Sequence, residues 1–374
     1  MTTCPAWEQS LLLKAIRREP TPYTPVWLMR QAGRYLPEYR ALRSKIPFAQ
    51  LCKTPSLCAQ IMVQTVQRLG VDAAILFSDL LLVLEPMGFP VEYTAGEGPV
   101  FERPIRSAQE VDRLQELESL EPLAYVLEAM RLTRAALPNH IPLIGFAGAP
   151  FTLASYLIEG QGGSNFRYTK GLMYSDSGAW RAMMDRLARA VAQFLLAQIQ
   201  AGAQAVQLFD TWAGCLGPED YRQYVLPFSQ AVIQAVESAA PVIHFSTGNP
   251  ALLPLIREAG GQVIGVDWRV RLDQAWQQIG YDRAIQGNLD PAVLLGPPEL
   301  IRQRVQQILC QAAGRAGHIF NLGHGLLPDT PVENVLILVD AVHQLSQRPT
   351  AASRIPSESV SLGSGSDQMP PELA

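Results

Sequence analysis

Lysine is nearly missing from this chain. Only Lys14, Lys45, Lys53 and Lys170 occur in 374 residues, although lysine and arginine together number 30. The positive charge therefore rests on arginine, whose planar fork matches carboxylates better than an ammonium does. A positive excess is also missing, since the net charge is −4. That argues against general nucleic-acid binding, which needs a basic face. A small polyanion stays possible, because local arginines can outweigh the net charge. Cysteine is sparse: five residues, at 4, 52, 58, 215 and 310, with no CxxC spacing. An odd, scattered set suits reduced thiols in a cytosol-like compartment. No apolar run approaches the ~20 residues of a membrane helix. Leu11 to Leu13 is too short for the apolar core of a secretory leader. The expectation is a cytoplasmic protein with no membrane and no nucleic-acid partner. GxGxxG, GxxxxGK[ST], HxH, HxC and HExxH are all missing, so neither a dinucleotide fold, a phosphate loop nor a zinc site is indicated.

What is present is a repeating pattern. Short apolar runs bounded by turn residues read as strands at Val26–Met29, Ala73–Phe77, Pro142–Phe146, Ala205–Phe209, Val242–Phe245, Val263–Val266, Arg283–Gln286 and Ile319–Leu322. Amphipathic stretches read as helices between them: Thr54–Leu69, Ala108–Leu137 divided near Pro122, Ala179–Gln200, Pro218–Ser238, Ala251–Glu258, Leu272–Ile279, Pro298–Ala312 and Val332–Leu345. Strands apolar on both faces that alternate with helices indicate a parallel sheet with crossovers. Eight such units predict one (β/α)8 barrel over 1–348, with a doubly wound open sheet as the alternative. The segment Pro86–Arg103 reads as a hairpin or extended excursion inserted after the second strand. Residues 349–374 are rich in Ser, Pro and Gly without apolar period, and read as a disordered tail.

A barrel carries its active site at the C-terminal ends of its strands. Polar residues gather there: Arg30, Ser78-Asp79, Asp210-Thr211, His244 with Ser246, Asp267, Asn288 and His324, with Tyr156 two turns into the helix after the third strand. Each also has a plainer reading. Arg30 and Arg34 would equally pair with local carboxylates. Asp79 would equally cap the next helix. Tyr156 at helical spacing from Phe151 suits a core, and His324 between glycines suits a tight loop. Glu159–Phe166, "EGQGGSNF", is glycine-rich without a lysine and reads as a mobile loop over the site.

Four motifs together resemble one family: "MRQAGRYLPEYR" at Met29–Arg40, "FSDLL" at Phe77–Leu81, "GFAGAPFTLASYLIEG" at Gly145–Gly160 and "NLGHG" at Asn321–Gly325. The chain resembles uroporphyrinogen decarboxylases over roughly residues 7 to 347. The resemblance implies a (β/α)8 barrel, a homodimer, and no cofactor or metal. It implies loss of carbon dioxide from the four acetates of uroporphyrinogen III (and I), giving coproporphyrinogen. By motif, Arg30 and Arg34 would meet substrate carboxylates, and Gln31, Ala32 and Gly33 would lie against the tetrapyrrole. Asp79 would accept hydrogen bonds from pyrrole N–H groups. Tyr156 and His324 would line the cleft beside Thr211, where some relatives carry serine.

These residue types suit such chemistry. Protonating the ring carbon that bears the acetate makes the pyrrole its own electron sink, so no cofactor is required. The protein must supply a proton donor, a counter-anion and carboxylate clamps. Asp79 suits the second and arginine forks the third. For the donor, Arg30, Tyr156, His324 and a bound water remain open, a guanidinium being a poor acid. A zinc-dependent methyltransferase on the same barrel is the nearest rival; His244-Phe245-Ser246 and a cysteine-free "NLGHG" argue against it. A non-catalytic tetrapyrrole carrier is the rival from another class.

Overall fold

The computed structural model describes residues 5–94, 98–162 and 165–348. Nine strands occur among them: β1 (Ala74–Ile75), β2 (Glu92–Thr94), β3 (Gly98–Val100), β4 (Leu143–Gly148), β5 (Ala205–Asp210), β6 (Val242–Ser246), β7 (Val263–Gly265), β8 (Ala284–Gln286) and β9 (His318–Ile319). Seven of them form one sheet in the order β1-β4-β5-β6-β7-β8-β9, and every pairing in it is parallel. β2 and β3 pair antiparallel, as expected for the excursion at Pro86–Arg103, whose turn at 95–97 lies outside the described residues. The predicted tail at 349–374 also lies outside them, as does the centre, 163–164, of the glycine-rich Glu159–Phe166 loop.

Helices cover the outer face in the predicted alternation. Leu272–Ile279, Pro298–Ala312 and Val332–Leu345 have the expected bounds. The stretch 108–137 divides at Pro122, into 3-10 turns and the helix Ala124–Ala136. Pro218–Ser238 is a pair of helices rather than one: Pro218–Tyr224 and Leu226–Val236, with Val225 at φ −128° between them. Pro227 is the cause, because its ring removes an N–H donor and crowds the carbonyl four residues back.

The largest departure from expectation concerns Val26–Met29. It is not a ladder strand; it touches the sheet through one parallel bridge, Val26 to Phe320. Trp27 N still reaches a sheet carbonyl, Phe320 O at 3.4 Å, but the other three amides have gone elsewhere. Val26 N donates to the Asp72 carboxylate at 2.8 Å, Leu28 N to Gln31 Oε1 at 3.1 Å and Met29 N to Asn321 Oδ1 at 3.1 Å. Side-chain acceptors have replaced the carbonyls a ladder would use. The segment still spans both sheet edges. Phe320 N donates to Pro25 O at 2.8 Å, and Asp72 N to Val26 O at 2.8 Å.

Inside the curl, beneath the strand ends, Trp27, Gln207 and Gln286 are buried. Trp27 Nε1 donates to Gln286 Oε1 at 3.0 Å, and Gln286 Nε2 to Gln207 Oε1 at 3.0 Å. A hydrogen-bonded plug of this kind satisfies its polar atoms and fixes one packing.

Asp72 is the fastener of this arrangement. Its Oδ2 takes the Val26 amide and lies 2.9 Å from His343 Nε2, on the last described helix. Asp72→Ala is expected to leave a buried amide without an acceptor and cost about 2 to 3 kcal/mol, read as a lowered urea midpoint. Activity should fall with it, because Arg30 leaves the same segment.

Candidate active site

Above the plug lies a cleft of about 340 Å³, lined by residues from the C-terminal ends of the strands. Its floor is aromatic. Phe146, Phe209 and Phe245 project inward from β4, β5 and β6 and meet edge to face, with centroids 5.7 Å apart in both pairs. The strand period of two explains what this excludes. Asp210 and His244 stand one residue away and point outward. His244 is fully buried, and burial lowers it to about 4. It therefore leaves the strand-end set, as do Ser246, Asp267 and Asn288, none of which lines the cleft. Asn288 instead fastens the 267–270 loop by donating to Asp267 O and Val270 O, both at 2.8 Å.

Of the residues singled out from the sequence, Arg30, Gln31, Ala32, Asp79, Tyr156, Thr211 and His324 line the cleft. Gly33 and Arg34 do not; Arg34 stands exposed outside it. Gln31 presents itself to the cleft, but its side chain is committed to Leu28 N and Ala73 O.

Arg30 leaves the backbone in the left-handed region, at φ 60°. A non-glycine residue there is uncommon and stores strain. The turn is over-determined, with Gln31 N on Leu28 O and Leu326 N on Met29 O, both at 3.0 Å. Among the described residues neither Arg30 nor Arg34 forms an ion pair, so the plain reading of local pairing fails. The unpaired Arg30 guanidinium at the cleft, with Arg34 exposed outside it, forms a standing demand for anions.

Asp79 does not cap the next helical element, Leu82–Leu84, whose N-cap is Leu81 without a side-chain hydrogen bond. Its Oδ1 accepts from Leu81 N at 2.8 Å, a local turn ahead of that element. The carboxyl also faces the cleft. Apart from that opening it is enclosed by protein, and burial raises its affinity for a proton. The Leu81 amide, the Tyr93 hydroxyl and Arg30 oppose the rise, and Glu85 adds to it.

Tyr156 stacks on Trp212 with centroids 3.8 Å apart and planes at 29°. Burial, with Asp79 nearby, pushes its phenol up to about 12, so the hydroxyl keeps its proton. His324 Nδ1 accepts from Gly325 N at 2.8 Å. Burial, Arg30 and Arg269 together lower it to about 4. The ring is thus neutral at neutral pH, with its proton on Nε2. It offers a hydrogen bond there and not a charge.

Three contributors escaped the sequence reading. Trp212 lines the cleft beside Thr211, and adjacency to a strand-end residue was the available signal. Its amide donates to Thr152 Oγ1 at 3.4 Å, which in turn donates to Asp210 Oδ1 at 3.3 Å. Burial raises Asp210 to about 7. Arg269, paired with Asp267 and not itself lining the cleft, acts on His324 electrostatically. Tyr93 reaches Asp79 from the inserted hairpin.

The arrangement joins a carboxylate in an apolar pocket to an unpaired arginine and neutral donors, and comparison with known proteins gives it a family. The model of the family described as Uroporphyrinogen decarboxylase (URO-D) matches residues 8–345. The chain belongs to the uroporphyrinogen decarboxylase family. Among its relatives is the uroporphyrinogen decarboxylase of Sorangium cellulosum, 54% identical over 89% of this chain and 95% of the relative. The enzyme of the same name from Carboxydothermus hydrogenoformans is 53% identical over 89% of this chain and 96% of its own length. The fold is similar to that of a solved methyltransferase from Methanosarcina mazei, with a TM-score of 0.75 at 20% identity, over 91% of this chain and 98% of that one. At that identity the likeness concerns the fold alone. All four motifs that resembled the uroporphyrinogen decarboxylase family fall within the matched residues.

Proposed function

We propose that the cleft decarboxylates the four acetate side chains of uroporphyrinogen, with Asp79, Arg30, Tyr156 and His324 as its working groups. Membership of the uroporphyrinogen decarboxylase family supports the reaction: a carboxy-lyase step of porphyrin biosynthesis that gives coproporphyrinogen. The observation that carries the residue assignment is Asp79, a carboxyl held in an aromatic-floored pocket beside an unpaired Arg30.

The chemistry follows from charge. A proton added to the ring carbon that bears the acetate makes the pyrrole cationic. The C–C bond to the carboxylate then breaks, and its electron pair returns to the ring as carbon dioxide leaves. A second proton reaches the exocyclic carbon to make the methyl group, and the ring proton is given up. Each turn therefore consumes one proton net. Asp79 accepts from the pyrrole N–H groups and opposes the transient positive charge. Such a counter-charge is strongest where aromatic walls exclude water. Arg30 meets the reacting acetate, and the exposed Arg34 meets carboxylates during approach. Tyr156 and His324 supply neutral donors. Holding the acetate tightly in the ground state would not by itself speed the step, so the gain has to come from Asp79 as the ring becomes cationic.

A tetrapyrrole with eight carboxylates is larger than 340 Å³. The reading places one reacting ring and the N–H face inside and the other carboxylates at the rim, near Arg34 and Arg269. It also treats segment 25–29 as the eighth stave of a closed barrel, supported by its hydrogen bonds to both sheet edges. One catalytic domain over 1–348, a tail without chemical role, a cytoplasmic setting and a homodimer belong to the same reading, and sedimentation tests the last.

The deciding experiment is anaerobic incubation with uroporphyrinogen III, with products oxidised and separated by carboxylate count. A ladder from eight carboxylates down to four is expected. Tight binding without any ladder would overturn the assignment in favour of a carrier.

A further inference from the structure

The inserted hairpin β2–β3 has a place in this site. Tyr93 lies on β2, and its ring packs edge-on against Phe48, with centroids 4.9 Å apart and planes at 69°. Phe48 in turn meets Phe77, two residues before Asp79, at 6.0 Å and 77°. The ring is thereby fixed relative to the Asp79 turn. The Tyr93 hydroxyl is sealed from solvent and has no formed hydrogen bond. A buried donor without a partner is costly and calls for an explanation. The group it faces is the Asp79 carboxyl. Asp79 Oδ1 is already taken by Leu81 N.

We propose that Tyr93 is a positioning residue for the decarboxylation: from its anchored ring the hydroxyl directs its proton at Asp79, and holds the carboxylate ionised and aimed at the pyrrole N–H groups. The inference rests on the role given to Asp79 above. It explains why a hairpin is inserted directly after the strand that delivers Asp79, and why that hairpin also brings Pro99 to the cleft wall.

The other titratable and charged groups around the pair are Arg30, Cys52, Glu85, Tyr125 and Tyr156. Arg30 favours the ionised carboxylate; Glu85 opposes it. Burial, with Asp79, Cys52 and Glu85 around it, keeps the Tyr93 phenol protonated. A proton-bearing hydroxyl donating to a carboxylate favours the charged form.

Tyr93→Phe keeps the ring and removes only the hydroxyl, so the fold should survive, checked by an unchanged melting temperature. Without its donor, Asp79 becomes harder to ionise. The acidic limb of the kcat/KM profile should move to higher pH by about one unit, with about a tenfold loss on that limb and near wild-type rates on the plateau. A merely structural tyrosine would lower the rate equally at every pH. A profile that superimposes on wild type, or a uniform loss, would overturn the inference. Asp79→Asn, run alongside, separates the two claims. If it is inactive while Tyr93→Phe keeps the wild-type limb, only the tyrosine role fails. If Asp79→Asn is fully active, the role of Asp79 fails and this inference with it.

Discussion

Asp79→Asn is expected to lose about a hundred- to a thousand-fold in kcat, the range for removing one preorganised electrostatic partner, while melting at a higher temperature than the parent near neutral pH. The two effects share a cause. Burial raises the Asp79 carboxyl in the folded protein, so ionising it is harder there than in the unfolded chain. A carboxyl raised in this way favours the fold at acidic pH. That contribution fades as pH climbs from the ordinary carboxylate range, about 4, through the raised folded value. Asparagine does not titrate, and its Oδ1 can still accept from Leu81 N. The stability gap between variant and parent should therefore open as pH rises and close below about pH 4. Calorimetry at several pH values reads the gap, and single-turnover decarboxylation reads the loss. A variant that melts lower than the parent at pH 7 would mean that the carboxylate is comfortable where it sits. The idea of a destabilised, catalytically poised anion would then be wrong.

Substrate should respond differently. An amide keeps the shape of the site, and Arg30, Arg34 and His324 are untouched, so porphyrin binding by Asp79→Asn should weaken far less than turnover. A loss confined to KM would instead make Asp79 a binding group only.

How much of this was legible follows from where each determinant lies along the chain. Leu272–Ile279, Pro298–Ala312 and Val332–Leu345 could be read to the residue because their apolar period and punctuation by Pro or Gly are local signals. Val26–Met29 was misread because what removes it from the ladder is distant. Asp72 is 46 residues away from Val26, and Asn321 is 292 residues from Met29. No window of sequence contains both ends of such a bond. His244 failed for a smaller reason, parity: one step along β6 separates the inward Phe245 from the outward His244. Arg30, Asp79, Tyr156, Thr211 and His324 converge because strand ends and four motifs marked the same end of the fold. Tyr93 and Trp212 carried no such mark. Their roles depend on what they stack against, and that is set by the tertiary fold.

Gly325→Ala should be strongly damaging, although Gly325, at the cleft wall, offers substrate no side chain. The side chain of Arg30 lies flat against Gly325. A methyl group built there would stand 2.6 Å from Arg30 Cγ and 2.9 Å from its Nε, with Cδ nearer still. Real side chains do not approach so closely, so one group must leave. The backbone of Gly325 is held by its amide on His324 Nδ1 and by the next residue, Leu326, on Met29 O. Arg30, at φ 60°, is equally fixed at its Cα. The arginine side chain is the part that can move, and it must swing off the cleft wall. About a hundred-fold loss in kcat/KM is expected, the scale on which small misplacements of a catalytic group are felt, with little change in melting temperature because the methyl displaces an exposed side chain and not the core. The double variant decides whether the loss runs through Arg30. If it does, Gly325→Ala should add almost nothing to Arg30→Ala, leaving a coupling energy nearly as large as the single effect. Additive losses would mean that the methyl acts on His324 or on the loop itself, and Gly325 would then be a determinant of the backbone turn with no part in seating the arginine.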